Sequence, residues 1–254
     1  MRLQDRVALV TGAGGPMGAA VAARFAEEGA SLILTDISGN RLESSAQRIK
    51  ALMRPGAKLS YKRANVTVRP EAADVVETGV RETGPVDILV NVVGGVKATA
   101  VYESFLTMSE ERWNNTFELN LKGTFHLVQM TAPGMIERKR GKIINFSSVM
   151  FAGAAGSVDY SAAKAAVASL TRSLALEFAT SNIQVNCIAP SSIKTSAFDK
   201  IPEEEKQRWE NMTPLKRHGE PTEIAAACAY LASDESAFVT GVIMPVSGGI
   251  WPAL

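Results

Sequence analysis

The sequence is poor in residues that bind metals or form covalent cross-links. Its 254 residues include only two cysteines, Cys187 and Cys228, and two histidines, His126 and His218. Both cysteines lie inside apolar segments, where a thiol usually serves as a core residue, and no spacing of cysteine and histidine suits zinc. We therefore expect no disulfide framework and no metal site.

Long apolar runs and blocks of one charge are also missing. No stretch approaches the roughly 18 apolar residues that span a membrane, and 27 basic residues balance 26 acidic ones, for a net charge of +1. The short basic cluster Arg138-Lys139-Arg140 is typical of a solvated helix end. The apolar run Val7–Val10 is too short for the core of a signal peptide. We expect a cytoplasmic protein that binds neither nucleic acid nor membrane.

The sequence does contain a regular alternation of short β-branched runs and longer helical stretches. The predicted strands are Val7–Val10, Leu32–Thr35, Leu59–Arg63, Ile88–Val90, Lys142–Phe146, Val185–Ile188 and Val242–Val246. Helical periodicity lies between them, for example over Glu110–Met130 and Tyr160–Ala179. This order predicts an α/β fold of the Rossmann type, with a doubly wound parallel sheet and helices on both faces. No linker divides the chain, so residues 1–254 are interpreted as one domain.

One segment, Ser191–Thr213, interrupts this alternation. It follows the end of a predicted strand, is polar, contains Pro202 and three consecutive glutamates, and has only a partial helical pattern. Such an insertion can act as a mobile lid over a site. A surface helix without a role is an equal alternative.

A glycine-rich segment links the first predicted strand to the first helix, with the sequence Thr11-Gly12-Ala13-Gly14-Gly15-Pro16-Met17-Gly18. Glycines let the backbone turn tightly beside a pyrophosphate, and the helix N-terminus offers N–H groups and a positive dipole end. Asp36 closes the second predicted strand, where a carboxylate accepts hydrogen bonds from ribose hydroxyls and repels a 2′-phosphate. These features predict NAD rather than NADP as the cofactor; a glycine-rich turn without a ligand is the alternative.

Tyr160 and Lys164 lie four residues apart in a predicted helix, so their side chains share one face. A phenol with a pKa of ~10 is a poor acid–base catalyst at neutral pH, and lowering that pKa by about three units needs roughly 4 kcal/mol. A cation about 4 Å away supplies a similar energy at an effective dielectric constant of about 20. We therefore expect Lys164 to lower the pKa of Tyr160, although this spacing alone also occurs on many inert helices.

Together, these motifs resemble the short-chain dehydrogenase/reductase family over nearly the whole chain. The shared motifs, in order, are Thr11-Gly12 to Gly18, Asp87–Asn91, Asn120 within Glu118–Gly123, Ser147-Ser148, Tyr160 with Lys164, Val185–Pro190, Thr240-Gly241 and Ser247–Gly249. The resemblance implies a sheet of seven parallel strands. It also implies an NAD-dependent oxidoreductase that interconverts a secondary alcohol and a ketone by hydride transfer.

The resemblance further implies catalytic roles for Asn120, Ser148, Tyr160 and Lys164. Tyr160 would exchange a proton with the substrate oxygen, and Lys164 would lower its pKa and bind the nicotinamide ribose. Ser148 would position the substrate oxygen, with the neighbouring Ser147 as the alternative. Asn120 is expected to kink its helix and hold a water in a proton relay.

The ligand-binding residues are assigned by the same resemblance. Substrate contacts are expected from Ser148 and Tyr160 and, because the loop Val149–Ser157 is largely apolar, from Met150 and Phe151, with internal packing of these two residues as the alternative. Cofactor contacts are expected from Gly12, Gly14, Gly15, Pro16, Met17, Gly18, Asp36, Ile37, Asn65, Val66, Asn91, Val92, Val93, Gly94, Tyr160, Lys164, Pro190, Ser191, Ile193 and Thr195. Pro16 replaces a usual glycine and lacks an N–H group, but proline suits a first helical position. Asn65 replaces the aspartate that usually meets the adenine amine, and its carbonyl is expected to accept that hydrogen bond.

Two other functions are weighed against this one. An NADPH-dependent 3-oxoacyl carrier-protein reductase is disfavoured by Asp36 and by the lack of a basic residue in the glycine loop. A non-catalytic dinucleotide-binding regulator is disfavoured by the complete catalytic set. The resemblance also suggests a homotetramer, with dimer surfaces on the helices of Thr124–Arg138 and Tyr160–Ala179.

Overall fold

The computed structural model describes residues 1–96, 102–195, 198 and 201–250. Within these residues, seven strands form one parallel sheet. The strands are β1 (Val7–Thr11), β2 (Ser31–Asp36), β3 (Leu59–Arg63), β4 (Ile88–Asn91), β5 (Gly141–Phe146), β6 (Ile183–Pro190) and β7 (Ile243–Val246). Their order across the sheet is β3-β2-β1-β4-β5-β6-β7. The predicted doubly wound α/β fold is confirmed.

Helices cover both faces of the sheet. They are α1 (Pro16–Glu27), α2 (Gly39–Lys50), α3 (Arg69–Thr83), α4 (Glu110–Phe117), α5 (Gly123–Arg138), α6 (Val158–Phe178), α7 (Glu203–Met212) and α8 (Pro221–Ala232). In β1, Ala8 and Val10 point into the core layer formed with α1 and α8, whereas Val7 and Leu9 point into the layer formed with α3, α5 and α6. Burial on both faces explains why the central strands are continuous apolar runs.

The predicted continuous helix Glu110–Met130 is wrong in two respects. The structure divides it into α4 and α5, joined by a π-helical turn at Glu118–Lys122, and α5 continues to Arg138. Pro133 lies inside α5, where proline normally weakens a helix. The helix continues past it because Ala132 and Met135 are buried against the sheet.

The two central strands of the sheet, β1 and β4, meet at the point where the strand order reverses. Beyond their carboxyl ends, the Thr11 hydroxyl accepts hydrogen bonds from the backbone N–H groups of Val92 and Val93, at 3.0 and 3.2 Å. Parallel α/β sheets open a crevice at this switch point. The candidate active site lies in this crevice. No helix in the described ranges is long and apolar enough to cross a bilayer.

Candidate active site

Two connected cavities lie at the carboxyl edge of the sheet. One, of about 330 Å³, runs over the glycine-rich turn and the ends of β1 and β2. The other, of about 170 Å³, lies over the ends of β5 and β6 and reaches Tyr160 and Lys164. Both are lined by Met17, Val92, Gly94 and Thr195, which makes them one continuous cleft. All but two of the predicted cofactor-binding residues line it.

The two exceptions are Gly14 and Asn91, which the structure places behind the cleft wall. The Gly14 N–H donates a 3.0 Å hydrogen bond to Asp36 Oδ2. Asn91 is buried in β4, and its Nδ2 donates to Asn145 Oδ1 on β5 at 3.0 Å. Asn91 therefore joins two strands and Gly14 fixes the Asp36 carboxylate, so both shape the cleft without lining it.

The glycine-rich turn has the geometry of a phosphate cradle. Gly12 adopts a φ of +64°, and a Cβ on Gly18 would collide with the carbonyl group of Gly12. Only glycine permits this close passage of the turn against the first residues of α1. Pro16 occupies the first turn of α1, where its missing N–H costs no intrahelical bond. The remaining N–H groups of that turn would hold a pyrophosphate.

Asp36 lies at the end of β2, and its carboxylate already accepts three hydrogen bonds. Oδ2 accepts from Gly14, while Oδ1 accepts from the Ser38 N–H at 2.8 Å and from Arg41 Nη2 at 3.2 Å. The Arg41 side chain is 59 % exposed and lines the larger cavity. The predicted acidic residue is therefore present at the cleft, but a guanidinium contacts it.

Asn65 lines the cleft but does not have the free carbonyl that the sequence suggested. Its Oδ1 accepts from the backbone N–H and the hydroxyl of Thr67, at 3.1 and 3.0 Å. These two bonds occupy both acceptor positions of the amide oxygen. A local turn therefore uses this oxygen, and its contact with an adenine amine stays a prediction.

Tyr160 and Lys164 lie together on the first turns of α6, as their spacing predicts. Lys164 Nζ lies 5.6 Å from the centre of the Tyr160 ring and donates to the Phe146 carbonyl at 2.8 Å. Burial raises the pKa of Tyr160, and a hydrogen bond with Ser148 lowers it only in part. Burial also lowers the pKa of Lys164 to about 8. The expected lowering of the tyrosine pKa by Lys164 is therefore not found: here burial dominates for both groups.

The two neighbouring serines after β5 have different partners. Ser147 donates its hydroxyl to the Lys164 carbonyl at 2.8 Å and so joins β5 to α6. Ser148 hydrogen-bonds Tyr160, and its Oγ accepts from the Met150 N–H at 3.2 Å. The geometry favours Ser148 as the residue that meets a substrate oxygen beside the phenol.

Asn120 lies in the π-helical turn between α4 and α5. Its Nδ2 donates to the carbonyls of Thr116 and Gly95, at 2.7 and 2.8 Å, and its Oδ1 accepts from the Gly95 N–H at 3.0 Å. A Cβ added to Gly94 would lie 2.6 Å from Asn120 Oδ1 and 2.7 Å from Lys164 Nζ. Asn120 and Lys164 therefore flank the backbone of Gly94 in the cleft, and a π-helical turn interrupts the helix where a kink was expected; the water held by Asn120 stays a prediction.

Two predicted substrate residues lie outside the walls of both cavities. Phe151 packs against the small apolar cluster that contains Val167 and Ala189, and Met150 contributes only its backbone N–H to Ser148. Both residues belong to a 3₁₀ turn over Val149–Ala152. Phe151 is therefore partly buried against this cluster, and contact of either residue with a substrate stays a prediction.

Comparison with known proteins identifies the family. The profile described as Enoyl-(Acyl carrier protein) reductase matches residues 12–250. The chain is 39 % identical over 251 residues to a 3-oxoacyl-[acyl-carrier-protein] reductase of Thermotoga maritima, covering 98 % of this chain and 99 % of the relative. It is 37 % identical over 249 residues to the (2S)-[(R)-hydroxy(phenyl)methyl]succinyl-CoA dehydrogenase subunit BbsD of Thauera aromatica, covering 98 % of each chain.

A solved structure agrees with these matches. The crystal structure of a 3-oxoacyl-[acyl-carrier protein] reductase with bound NAD from Brucella melitensis superposes with a TM-score of 0.89 at 30 % identity, covering 99 % of this chain and 95 % of that one. The chain belongs to the short-chain dehydrogenase/reductase family. It is therefore an oxidoreductase of a family that binds nicotinamide dinucleotides.

As a short-chain dehydrogenase/reductase, the protein has several cleft residues that the sequence did not single out as ligand contacts. They are Arg41, Ala64, Leu119 and Phe146; Ser147, the predicted alternative to Ser148, lines the cleft as well. Each adjoins a motif in the sequence except Arg41, which belongs to α2. The start of α2 lies next to Asp36 at the end of β2. A basic residue shortly after Asp36 in the sequence could therefore have indicated that Arg41 lies at the cleft.

Proposed function

We propose that the protein interconverts a 3-oxoacyl thioester and the corresponding 3-hydroxyacyl thioester, with NAD as the coenzyme. The observation that carries this proposal is the continuity of the cleft, which brings Ser148, Tyr160 and Lys164 to one end of a groove shaped for a dinucleotide. The substrate class is supported by the relatives, whose names describe oxoacyl or hydroxyacyl thioesters.

The side chains divide the chemistry between them. In the reducing direction, Tyr160 donates its hydroxyl proton to the carbonyl oxygen of the substrate, and Ser148 donates a hydrogen bond to the same oxygen. When bound, the nicotinamide ring supplies the hydride and accepts it in the reverse reaction. Burial keeps Tyr160 protonated, which suits a proton donor in reduction.

Lys164 supports the phenol after that proton has left. Its ammonium group lies beside the ring and would offset part of the cost of burying a phenolate, although burial outweighs this and the pKa of Tyr160 is raised. Its contact with the Phe146 carbonyl holds the side chain in the cleft, within reach of a ribose hydroxyl. Apolar side chains such as Met17 and Ile193 line the same cavity and would exclude water from an acyl chain.

The preference for NAD depends on Asp36 and its contact with Arg41. A carboxylate offers about four acceptor positions, of which three are taken. One ribose hydroxyl can bond at Oδ2 without rearrangement, whereas a second needs Arg41 to leave Oδ1. Although the Asp36 side chain is only 6 % exposed, that of Arg41 is 59 % exposed, so solvent screens the pair and the movement costs about 1 kcal/mol.

Steady-state kinetics with a panel of substrates tests the reaction. Acetoacetyl-CoA and acetoacetyl carrier protein represent the two carriers of a 3-oxoacyl thioester, and cyclic ketones represent the alternative class. We expect at least one thioester to be reduced with a kcat/KM well above that of every cyclic ketone. A preference for cyclic ketones would contradict the proposed substrate class.

Coenzyme preference is tested on the same enzyme with two variants. NADH should support turnover better than NADPH. Asp36→Ala should reverse that order, because the group that repels a 2′-phosphate is removed. Arg41→Ala should strengthen NADH binding by less than about tenfold, since only an exposed ion pair is broken. A wild-type preference for NADPH that Arg41→Ala abolishes would instead assign Arg41 to the 2′-phosphate.

Two further assignments belong to the proposal. A homotetramer is supported by an apolar groove between α5 and α6, where Phe125 and Leu174 lie beside a volume of about 590 Å³. Sedimentation that shows a stable monomer would contradict it. A lid role for Ser191–Thr213 is supported by Ser191, Ile193 and Thr195 in the cleft wall; residues 196, 197, 199 and 200 of this segment lie outside the described ranges.

A further inference from the structure

A buried ion pair lies directly beside the catalytic helix turn. Arg112 of α4 contacts both carboxylate oxygens of Asp159, with Nε 3.0 Å from Oδ2 and Nη2 3.5 Å from Oδ1. The Asp159 side chain is 0 % exposed and that of Arg112 is 9 % exposed. Arg112 also contacts Glu103 at 2.7 Å. Asp159 immediately precedes Tyr160 in the first turn of α6.

The same carboxylate is connected to Asn120 on the other side of the cleft. The Thr116 hydroxyl donates to Asp159 Oδ2 at 2.9 Å, and the Thr116 carbonyl accepts from Asn120 Nδ2 at 2.7 Å. The backbone N–H of Tyr160 bonds the Asp159 carboxylate as well. The buried Asp159 carboxylate is thus connected directly to Tyr160 and, through Thr116, to Asn120, which are two of the four proposed catalytic residues.

Stability alone does not account for this arrangement. Burial would raise the pKa of Asp159, but hydrogen bonds from Arg112 and Thr116 outweigh it and lower the pKa, so the carboxylate is charged. Removing two charges from water costs several kcal/mol per ion, and apolar replacements of such pairs often fold equally well. What a two-pronged guanidinium–carboxylate contact adds is a defined distance and angle between the segments that it joins.

We propose that Asp159, held by Arg112, is a positioning residue that fixes the first turn of α6 against α4, so that Tyr160 and Asn120 keep their places around the cleft. The inference rests on the proposed function for its catalytic consequence. Neither residue of the pair lines the cleft described above, so they act through Tyr160 and Asn120. A displacement of about 1 Å at a reacting group can cost about a hundredfold in rate.

The test separates positioning from folding by comparing single and double variants. Asp159→Asn alone leaves the buried Arg112 charge without the Asp159 carboxylate and should lower both the melting temperature and kcat. Adding Arg112→Met removes that charge and should restore most of the melting temperature. We expect kcat of the double variant to stay about tenfold or more below wild type, because the link between α4 and α6 is still missing. Coenzyme Kd should change little.

Two other variants complete the design. Arg112→Lys keeps a charge but cannot make the two-pronged contact, so its kcat should fall between those of the wild type and the double variant. Asp74→Asn makes the same chemical change in an exposed ion pair with Lys62, and should leave kcat and melting temperature unchanged. Recovery of kcat together with melting temperature in the double variant would overturn the proposal, as would full wild-type kcat in Arg112→Lys.

A readout without substrate distinguishes this proposal from the proposed function. Amide hydrogen exchange across residues 158–164 should be faster in the double variant than in the wild type, because the first turn of α6 has lost its anchor. Unchanged exchange would contradict the inference. If the wild type reduces no thioester or ketone, the proposed function fails, whereas the exchange measurement still decides whether this ion pair fixes the turn.

Discussion

Replacing Lys164 with methionine should abolish turnover and make the protein more stable. Burial lowers the pKa of this lysine from 10.5 to about 8. At 1.36 kcal/mol per pKa unit, this shift corresponds to about 3 kcal/mol lost by keeping the ammonium charged in the folded state. Methionine loses the hydrogen bond to the Phe146 carbonyl, worth about 1–2 kcal/mol. A net gain of about 1–2 kcal/mol remains at neutral pH.

The pH dependence of this gain identifies its cause. Below pH 8 the lysine is protonated in both states, so the full cost of burial is present. Between about 8 and 10.5 the unfolded chain binds more protons than the folded protein, and the wild type gains stability as the pH rises. The advantage of Lys164→Met should therefore be largest at neutral pH and should shrink toward pH 10.5.

Urea unfolding of wild type and variant from pH 7 upward measures this difference. A gain of 1–2 kcal/mol corresponds to a rise in melting temperature of about 2–8 °C for a chain of this size. Lys50→Met, at an exposed position on α2, is the matched control and should show no comparable pH-dependent gain. A Lys164→Met variant that is less stable than wild type at pH 7, or a gain that does not change with pH, would refute the reasoning.

Two glycine substitutions should impair different properties, turnover in one case and stability in the other. In Gly94→Ala the new methyl group would lie within 2.7 Å of Asn120 and Lys164, so the ends of these two side chains must move. We expect kcat to fall by about 10–100-fold. Circular dichroism should show an intact fold. In Gly79→Ala the new methyl group would lie 2.5–2.8 Å from three carbons of Ile33 beneath α3, so the melting temperature should fall by an amount equivalent to about 1–3 kcal/mol with coenzyme Kd unchanged.

The sheet is the part of the fold that the sequence predicts best. For β3 the predicted and observed bounds coincide at Leu59–Arg63, and β4 extends the predicted run by one residue. The apolar runs of the central strands, such as Ile88–Val90 in β4, have few other ways to become buried. The helix boundaries depend more on tertiary contacts: the turn at Glu118–Lys122 accompanies a bond from Asn120 to Gly95, which is distant in sequence, besides the local bond to Thr116.

The candidate site was likewise predictable from the sequence only in part. The glycine-rich turn is predictable because its backbone geometry requires glycine, and the face shared by Tyr160 and Lys164 follows from helix periodicity. Sequence spacing places Arg41 near Asp36 but gives neither their hydrogen bond nor the packing of Phe151 beside Val167 and Ala189, because tertiary neighbours decide both. Burial cannot be deduced from residue spacing, and it raises the pKa of Tyr160, which the sequence had predicted to be lowered.

The most direct test of the account is Tyr160→Phe, measured for coenzyme binding and for reduction of the best thioester substrate. NADH Kd should stay near the wild-type value, because the glycine-lined part of the cleft is unchanged. We expect kcat to fall by about 10²–10⁴-fold, the usual contribution of a positioned general acid. Wild-type turnover in this variant would contradict the assignment of Tyr160 as the proton donor.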